Sequence, residues 1–289
     1  MAELLKGKPV VDSMALDLRA RIEALGRAKV VPALALVRVG QRPDDLSYER
    51  TARKRAESLG IAIRPYELDE FAPQAAIEAA IHEVNRDENV HGCLLFRPLP
   101  SFVDESHMCE LLDPKKDIDG ITLASLASVF TDGHAGYPPA TAAACIQLLD
   151  HYQVPLQGKH VVVVGRSLVV GKPVSMMLLR RNASVTICHS KTENLADIMC
   201  SADVVICATG RARTFGAQFF GPGQTVLDVG INFDTQGNLC GDVDFAEVEP
   251  VVAAITPVPG GIGTVTTSVT MAHTVAAAEA ALAARTGRR

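Results

Sequence analysis

Short runs of aliphatic and β-branched residues alternate along the chain with longer segments whose apolar residues recur at helical spacing. This alternation predicts an α/β protein built on parallel sheets. The first part of the chain contains predicted strands at Leu34–Val39, Ile61–Pro65 and Cys93–Phe96 and predicted helices at Asp44–Ser58 and Gln74–Asn85. From Gly158 a second series of predicted strands follows, at Val161–Val164, Ser184–Cys188, Val204–Ala208, Val226–Val229 and Val252–Ile255, and Val275–Ala284 is a predicted helix.

Two segments rich in turn-forming residues lie between these series. The first, Asp113–Gly120, is charged, and the second, Thr131–Pro139, contains two glycines and two prolines. Such segments mark domain boundaries or hinges. The sequence therefore predicts two α/β domains, 1–121 and 122–289.

Composition narrows the class of protein. Across 289 residues, Lys and Arg number 28 and Asp and Glu number 33, which gives a formal net charge of −5. Because no long basic run occurs and no apolar stretch has the length of a bilayer span, neither nucleic acid nor a membrane is an expected partner. Seven scattered cysteines without a C-x-x-C pair, and eight histidines without an H-E-x-x-H motif, predict a cytoplasmic protein without a metal site.

Four consecutive valines, Val161–Val164, lead directly into the turn Gly165–Pro173. A buried parallel strand followed by a glycine-bearing turn and a helix is typical of a Rossmann fold, whose backbone N–H groups receive a pyrophosphate. Ser167 occupies the place of the second glycine in the usual G-x-G-x-x-G pattern. The turn alone therefore leaves an ordinary strand–turn–helix equally open.

The end of the following strand favours NADP over NAD. Rossmann domains that bind NAD place a carboxylate about 20 residues after the glycines, where it binds the ribose 2′-hydroxyl. Here the strand ends in Cys188-His189-Ser190-Lys191 without a carboxylate, and Arg166 lies in the first turn. These donors suit a 2′-phosphate, which a carboxylate would repel. Lys191 alone is equally well explained as a solvated loop charge.

The loop Thr256–Thr264 follows the last predicted strand and contains Pro257, Pro259 and three glycines. This composition fixes a tight path and lets the backbone approach a ligand closely. The alternative is a simple turn, but its position after a parallel strand favours a role in binding.

Five motifs are specific enough to identify a relative: Val162–Pro173, Cys188–Thr192, Asp228–Asn232, Gly241–Phe245 and Thr256–Gly263. Together they closely resemble the FolD family, the bifunctional methylenetetrahydrofolate dehydrogenase/methenyltetrahydrofolate cyclohydrolases, over nearly the whole chain. The resemblance implies a catalytic α/β domain, 1–121, that binds a tetrahydrofolate derivative, and a Rossmann-type NADP-binding domain, 122–289, with a cleft between them. It also implies a homodimer, and a C-terminal helix at about 270–285 that packs back on the first domain.

The resemblance also implies roles for single residues. The cofactor contacts it implies are Gly165, Arg166, Ser167, Ser190 and Ile231. The substrate contacts are Tyr48, Asp119, Pro259, Gly260 and Gly261, of which Tyr48 and Asp119 are also the expected catalytic residues. The alternative for Tyr48 is simple packing on an amphipathic helix, and the alternative for Asp119 is a turn or cap aspartate.

The first domain departs from the family pattern where the chemistry is expected. The family motif Pro-Ala-Ser-x-x-Tyr-x-x-x-Lys keeps its tyrosine as Tyr48, but Ala52 stands at the lysine position. Phe96 replaces the glutamine of the family's Val-Gln-Leu-Pro-Leu-Pro. Asp119 is retained within Asp-Ile-Asp-Gly.

These departures affect the two family reactions unequally. Removal of a hydride from a methylene carbon needs chiefly the alignment of two rings, whereas addition of water to a methenyl carbon also needs proton transfer. Without the lysine and glutamine we expect the cyclohydrolase to be weakened or lost. Arg55, which shares the helix face of Tyr48, and Arg97 are possible substitutes, but arginine is a poor general base and both are better explained as surface charges or ion pairs.

The sequence is therefore compatible with three functions. The first is an NADP-dependent methylenetetrahydrofolate dehydrogenase with doubtful cyclohydrolase activity. The second is an NADP-dependent enzyme whose altered pocket takes a different pterin-like substrate. The third is a non-catalytic paralogue that binds NADP or folate.

Overall fold

The computed structural model describes residues 1–287 and divides the chain into two compact units. One, which we call the N-terminal unit, contains Ser13–Ala140 and the described chain from Thr267 onward. The other, which we call the Rossmann unit, contains Met1–Asp12 and Thr141–Thr266. Within residues 1–287, no helix is long and apolar enough to cross a membrane.

The helices in chain order are α1 (Gly7–Arg27), α2 (Pro43–Leu59), α3 (Gln74–Arg86), α4 (Glu105–Leu111), α5 (Leu123–Thr131), α6 (Ala140–His151), α7 (Gly171–Arg180), α8 (Leu195–Cys200), α9 (Phe245–Val248) and α10 (Ile262–Thr286). The strands are β1 (Glu3–Leu4), β2 (Ala33–Val39), β3 (Ala62–Leu68), β4 (Gly92–Leu95), β5 (His160–Val164), β6 (Ser184–Cys188), β7 (Val204–Cys207), β8 (Thr225–Asp228), β9 (Asn232–Phe233), β10 (Leu239–Cys240) and β11 (Ala254–Ile255).

The N-terminal unit is built on a parallel sheet in the order β3-β2-β4. Its central strand, β2, is buried along its whole length, as the continuous apolar run of its sequence predicts. Alternate residues of β2 face opposite sides of the sheet: Leu34 and Leu36 join one core cluster, whereas Ala35 and Val37 join another. The first cluster includes apolar residues of α2 and α10, and the second is completed by α3 and α4.

The Rossmann unit contains a six-stranded parallel sheet in the order β1-β11-β8-β7-β5-β6. The valines of β5 are buried, since β5 is flanked by β6 and β7. A short antiparallel hairpin of β9 and β10 follows β8. These findings agree with the α/β fold and the parallel Rossmann sheet that the sequence predicts.

The division of the chain differs from the predicted boundary after residue 121. The structure places the change between Ala140 and Thr141, because the intervening segment is bonded to the N-terminal unit. Ser125 donates through its hydroxyl to the buried Asp117 at 2.6 Å, and the ring of Tyr137 stacks on His273 at a centroid distance of 5.0 Å.

The first residues of the chain lie in a unit that their sequence position does not suggest, and the C-terminal helix lies with the first domain. Residues 1–12 belong to the Rossmann unit, because β1 pairs with β11 through Glu3 and Leu4. From Thr267, α10 belongs to the N-terminal unit and contributes Met271 and Val275 to its core.

Candidate active site

The turn after β5 has the geometry of a phosphate-binding loop. Gly165 has φ 134°, and a Cβ at this position would collide with the carbonyl oxygen of Ala208 at the end of β7. A Cβ on Gly171, which opens α7, would collide with the carbonyl oxygen of Gly165. Glycine is therefore required at both positions, and the two glycines let the chain fold tightly against the sheet edge.

Polar groups of this turn fix its path and leave its outer face accessible. The backbone N–H of Val170 donates to Ser167 Oγ, and that of Lys172 donates to the Ser167 carbonyl, both at 3.1 Å. Arg166 and Ser167 are exposed. The first N–H groups of α7 have no partners within the helix, so this end of the ten-residue helix attracts anions.

The other predicted cofactor residues follow neighbouring parallel strands. Val164 of β5 is in register with Cys188 of β6, so the glycine turn and Ser190 lie at the same edge of the sheet. Ser190 is exposed, and Ile231, after β8, is 65% exposed. The tight glycine turn, the helix end and the absence of a carboxylate between Cys188 and Thr192 fit a dinucleotide with a 2′-phosphate.

Two buried aspartates tie together the loops of this sheet edge, and the sequence analysis did not assign them a role. Asp242 accepts hydrogen bonds from the hydroxyl of Thr209 and the backbone N–H of Arg211, and from the side chain of Asn232, each at 2.9 Å. The backbone N–H groups of Thr209 and Gly210 also donate to it. One carboxylate therefore joins the loop after β7 to the loop after β8.

Asp228 holds the next layer of the same network. Its carboxylate accepts from the backbone N–H groups of Gly230 at 2.9 Å, Asp242 at 3.0 Å and Val243 at 2.9 Å. Burial raises the pKa of Asp228 to about 6, although these backbone donors favour the charged form. A Cβ on Gly241 would collide with this carboxylate, which explains the glycine of the Gly241–Phe245 motif.

The loop Pro259–Gly261 connects β11 to α10 within the Rossmann unit. Gly260 has φ 102°, and its carbonyl accepts a hydrogen bond of 2.7 Å from the backbone N–H of Gly7. A Cβ on Gly261 would approach the carbonyl oxygen of Pro257 to 2.6 Å. The loop is thus fixed by backbone contacts, and its substrate role stays a prediction.

In the N-terminal unit, Tyr48 lies on α2 in a largely apolar environment. Its ring meets Phe96 edge to face at a centroid distance of 6.1 Å. Thr270 and Thr267 of α10 interact with its hydroxyl and act to lower its pKa. Burial and, to a smaller extent, the charge of Asp119 raise the pKa of Tyr48 to about 12, so the phenol keeps its proton.

Asp119 and Asp117 of the same motif have different environments. Asp117 is fully buried and accepts from the backbone N–H groups of Ile121 at 2.9 Å and Thr122 at 2.8 Å, so it is structural. Burial raises the pKa of Asp119 to about 7, with Arg97 opposing and Asp117 adding to the rise. The charge of Asp119 acts on Tyr48, and the role of the two residues at a substrate site stays a prediction.

The position of the missing lysine is filled by apolar packing. Ala52 is fully buried in the core cluster that also contains Ala56 and Phe96, and Tyr48 packs against this cluster. Arg55 is half-buried further along α2 and forms no ion pair within residues 1–287. Arg97 lies near Asp119 and 3.9 Å from Glu105.

A cavity of about 450 Å³ lies beyond the carboxyl end of β2, next to Gly40, Arg42 and Phe71. None of the predicted site residues lines this cavity.

Among the residues that the structure describes, no group of three or more His, Cys, Asp or Glu side chains is arranged to hold a metal ion.

Both halves of the chain match models of one protein family. Residues 5–119 match the catalytic domain of tetrahydrofolate dehydrogenase/cyclohydrolase, and residues 139–282 match its NAD(P)-binding domain. The bifunctional protein FolD of Carboxydothermus hydrogenoformans is 48% identical over 281 residues, which cover 96% of this chain and 98% of that protein. The corresponding protein of Clostridioides difficile is 46% identical over 95% and 96% of the two chains.

Two solved structures show the same fold. The bifunctional FolD enzyme of Campylobacter jejuni superposes with a TM-score of 0.94 at 33% identity, over 97% of this chain and 99% of that one. The Trypanosoma brucei enzyme, solved in complex with NADP and an inhibitor, has a TM-score of 0.92 at 30% identity, over 97% and 98%.

Proposed function

This chain belongs to the tetrahydrofolate dehydrogenase/cyclohydrolase family, and from that membership we propose that it oxidises 5,10-methylenetetrahydrofolate to 5,10-methenyltetrahydrofolate with NADP, while its cyclohydrolase step is weakened or lost. The observation that carries the proposal is a contrast within one chain. The glycine turn and the sheet edge of the Rossmann unit retain what a dinucleotide requires, whereas apolar packing surrounds Ala52 and Phe96.

NADP, when bound, supplies the hydride acceptor. The residues proposed to hold NADP are Gly165, Arg166, Ser167, Ser190 and Ile231. The backbone of the turn and the N-terminus of α7 bind its phosphates, and Arg166 faces the 2′-phosphate. The network of Asp242 and Asp228 keeps the loops of this edge in place.

Tyr48 and Asp119 are proposed to orient the folate ring. The carboxylate of Asp119 accepts hydrogen bonds from the N–H donors of a pterin, and the protonated phenol of Tyr48 supplies a neutral donor beside it. Since nitrogen lone pairs of the substrate expel the hydride, alignment accounts for most of what the protein contributes to this step. We also propose that the substrate contacts the loop formed by Pro259, Gly260 and Gly261.

Hydrolysis of the methenyl product requires a proton acceptor as well as alignment of the substrate. Water must be deprotonated as it adds to the carbon, and a neutral phenol with a pKa of about 12 is a weak base for that purpose. Arg97 stabilises an anion but does not accept a proton. The methenyl product is therefore expected to leave the enzyme before it is hydrolysed.

A single time course tests this function. Purified protein is mixed with methylenetetrahydrofolate and NADP⁺, and the absorbance of NADPH and of methenyltetrahydrofolate is followed separately. We expect both to rise together and the methenyl signal to decay only at the rate seen without protein. Protein-dependent decay of the methenyl signal contradicts the loss of the cyclohydrolase. If neither signal rises, a different pterin substrate or a non-catalytic binding role replaces the proposal.

The double substitution Ala52→Lys with Phe96→Gln is expected to raise methenyl hydrolysis by about tenfold, because it restores a proton acceptor and its polar neighbour. Ala52→Lys alone is expected to lower thermal stability without this gain, since it places an ammonium group in an apolar cluster. Hydrolysis is measured by loss of the methenyl absorbance. If the folded double variant hydrolyses no faster than wild type, the pocket differs from the family's more widely than at these two residues.

The homodimer implied by the family resemblance and the cytoplasmic location predicted from the cysteine pattern both stay predictions.

A further inference from the structure

The peptide that links Ile118 to Asp119 is bonded to the C-terminal helix. Nδ1 of His273, on α10, lies 2.8 Å from the carbonyl oxygen of Ile118. Because a carbonyl oxygen can only accept, Nδ1 carries the proton and donates it in this bond. Burial lowers the pKa of His273 to about 4, so the ring is uncharged at neutral pH and its single N–H is the one used here.

The ring of His273 is itself held by Tyr137. The two rings stack with their centroids 5.0 Å apart and an angle of 29° between their planes. Both side chains are partly buried, and Tyr137 also packs against the apolar cluster that contains Ile118. A stacked aromatic partner restricts the rotation of the imidazole, so its donor stays directed at the carbonyl of Ile118.

The backbone that begins at Tyr137 contacts the residue on the other side of Asp119. Gly120 has φ 68°, and a Cβ there would lie 2.7 Å from the carbonyl oxygen of Tyr137. This Cβ would also collide with the backbone of the two prolines that follow Tyr137. The contacts therefore run in a closed circuit, which we call the histidine clamp, through Ile118, His273, Tyr137 and Gly120. In sequence, Asp119 is the one residue between the two ends of the clamp.

Asp119 differs from its neighbours in this turn by its exposure. Asp117 and Ile118 are fully buried and Gly120 is buried, whereas Asp119 remains partly exposed. Since the direction of a Cα–Cβ bond follows from the backbone, the histidine clamp determines where this carboxylate can lie. The clamp thus fixes the backbone of a residue whose side chain can reach a ligand.

We propose that His273 and Tyr137 are positioning residues, which fix the peptide before Asp119 and so direct its carboxylate at the substrate. The inference rests on the proposed function, because the ligand that this carboxylate receives is the folate ring. Neither residue touches the substrate, and neither transfers a proton. Their contribution is alignment, for which small displacements of a binding group are costly.

The test compares two substitutions of His273. His273→Leu removes the donor, whereas His273→Asn keeps it, because the amide nitrogen of asparagine is as many bonds from Cβ as Nδ1 of histidine. We expect kcat/KM of the dehydrogenase to fall about tenfold in His273→Leu and to stay within about twofold of wild type in His273→Asn. In an Asp119→Ala background, His273→Leu is expected to have no further effect, because the group that it directs is absent.

Substitutions of Tyr137 test the other half of the clamp. Tyr137→Leu removes the stacked ring and leaves the donor of His273 in place, and we expect kcat/KM to fall about threefold. Tyr137→Phe keeps the ring and is expected to behave as wild type. Thermal unfolding of every variant identifies any that fail to fold, and Tyr137→Leu provides the same comparison if His273→Leu is among them.

His91→Leu is the matched control outside the clamp. Nδ1 of the buried His91 accepts a hydrogen bond of 3.2 Å from the backbone N–H of Ala33, at the amino end of β2. Its loss also removes a bond between an imidazole and the backbone of the N-terminal unit. We expect lower thermal stability, with kcat/KM changed by less than about twofold.

A measurement without folate separates the inference from the proposed function. In protein labelled with ¹³C at the aspartate carboxyls, the signal that Asp119→Ala lacks is that of Asp119. The charged groups that act on this carboxyl are Arg97 and Asp117. Because burial is the largest cause of its raised pKa, release of the turn in His273→Leu is expected to move the pKa of Asp119 by more than about one unit towards the ordinary value of an aspartate. His273→Asn and His91→Leu are expected to leave it unchanged.

The outcomes distinguish the two claims. Equal losses of kcat/KM from His273→Leu in the wild-type and Asp119→Ala backgrounds overturn the positioning role while the dehydrogenase stands. An activity that His273→Asn does not restore overturns it too. If the wild-type protein forms no NADPH, the proposed function fails, and the carboxyl titration alone decides the inference. An Asp119 pKa that is the same in His273→Leu and wild type then overturns it.

Discussion

Asp119→Asn is expected to lower kcat/KM of the dehydrogenase by about a hundredfold and, at pH 8, to raise the free energy of unfolding by about 2 kcal/mol. Activity falls because an amide offers one oxygen where a carboxylate accepts two charge-assisted hydrogen bonds from a pterin. Stability rises because the buried carboxylate is costly in its charged form. Steady-state kinetics and denaturant unfolding of the same preparation measure the two effects.

The pH dependence of each effect follows from the pKa of Asp119. Burial raises it from 3.8 to about 7 in the folded protein, where Arg97, Asp117 and Tyr48 are the ionisable groups that interact with it. The stability linked to this carboxyl is fully present below pH 3.8 and is lost as the pH rises through about 7, since the unfolded chain ionises first. The stabilisation by asparagine is therefore largest above pH 7 and disappears in acid.

Substrate binding has the opposite dependence. The carboxylate form accepts the pterin N–H groups, so kcat/KM of the wild-type enzyme is expected to rise with pH through an inflection near 7 that Asp119→Asn lacks. Asp117→Asn is the matched control from the same motif. It should lower stability, because Asp117 accepts hydrogen bonds from Ile121, Thr122 and Ser125. An unchanged inflection in Asp119→Asn would show that another group controls the profile.

The strands were predictable wherever burial on both faces leaves a continuous apolar run. The predicted Val161–Val164 is such a run and lacks only the first residue of β5. The partly exposed edge strand Ser184–Cys188 was predicted with its observed bounds from its β-branched residues instead. The pairing of β1 with β11 could not be predicted, because two residues carry no periodicity and the partner lies at the other end of the chain. The division at Ala140 likewise depends on long-range contacts of Ser125 and Tyr137.

Only those parts of the candidate site that are contiguous in sequence were predictable. Motifs contiguous in sequence indicate the glycine turn and the Asp119 region. Met271 and Val275 of α10 carry no motif, and only the fold places them in the core cluster against which Tyr48 packs. Asp242 lies within a recognised motif, yet its role emerges only when loops from separate strands meet at one carboxylate.

Asp242→Asn is expected to lower the free energy of unfolding by about 4 kcal/mol and to weaken NADP binding by more than tenfold. Asparagine has a single acceptor oxygen, so several half-buried donors that follow β7 and β8 lose their partner, and its amide hydrogens face other donors. These loops lie at the edge proposed to hold the cofactor and include Ile231, so their displacement is expected to weaken nucleotide binding. Calorimetry with NADP and denaturant unfolding measure the two effects.

Asp244→Asn, two residues away in the same motif, separates the network from a change of charge. Asp244 caps the short helix α9 by accepting from the backbone N–H of Glu247, and asparagine is nearly as good a cap. We expect this variant to lose less than about 0.5 kcal/mol and to bind NADP normally. If Asp242→Asn behaves like Asp244→Asn, the loops after β7 and β8 are held by their backbone alone. If only Asp242→Asn loses NADP affinity, the buried carboxylate is what gives the cofactor edge its shape.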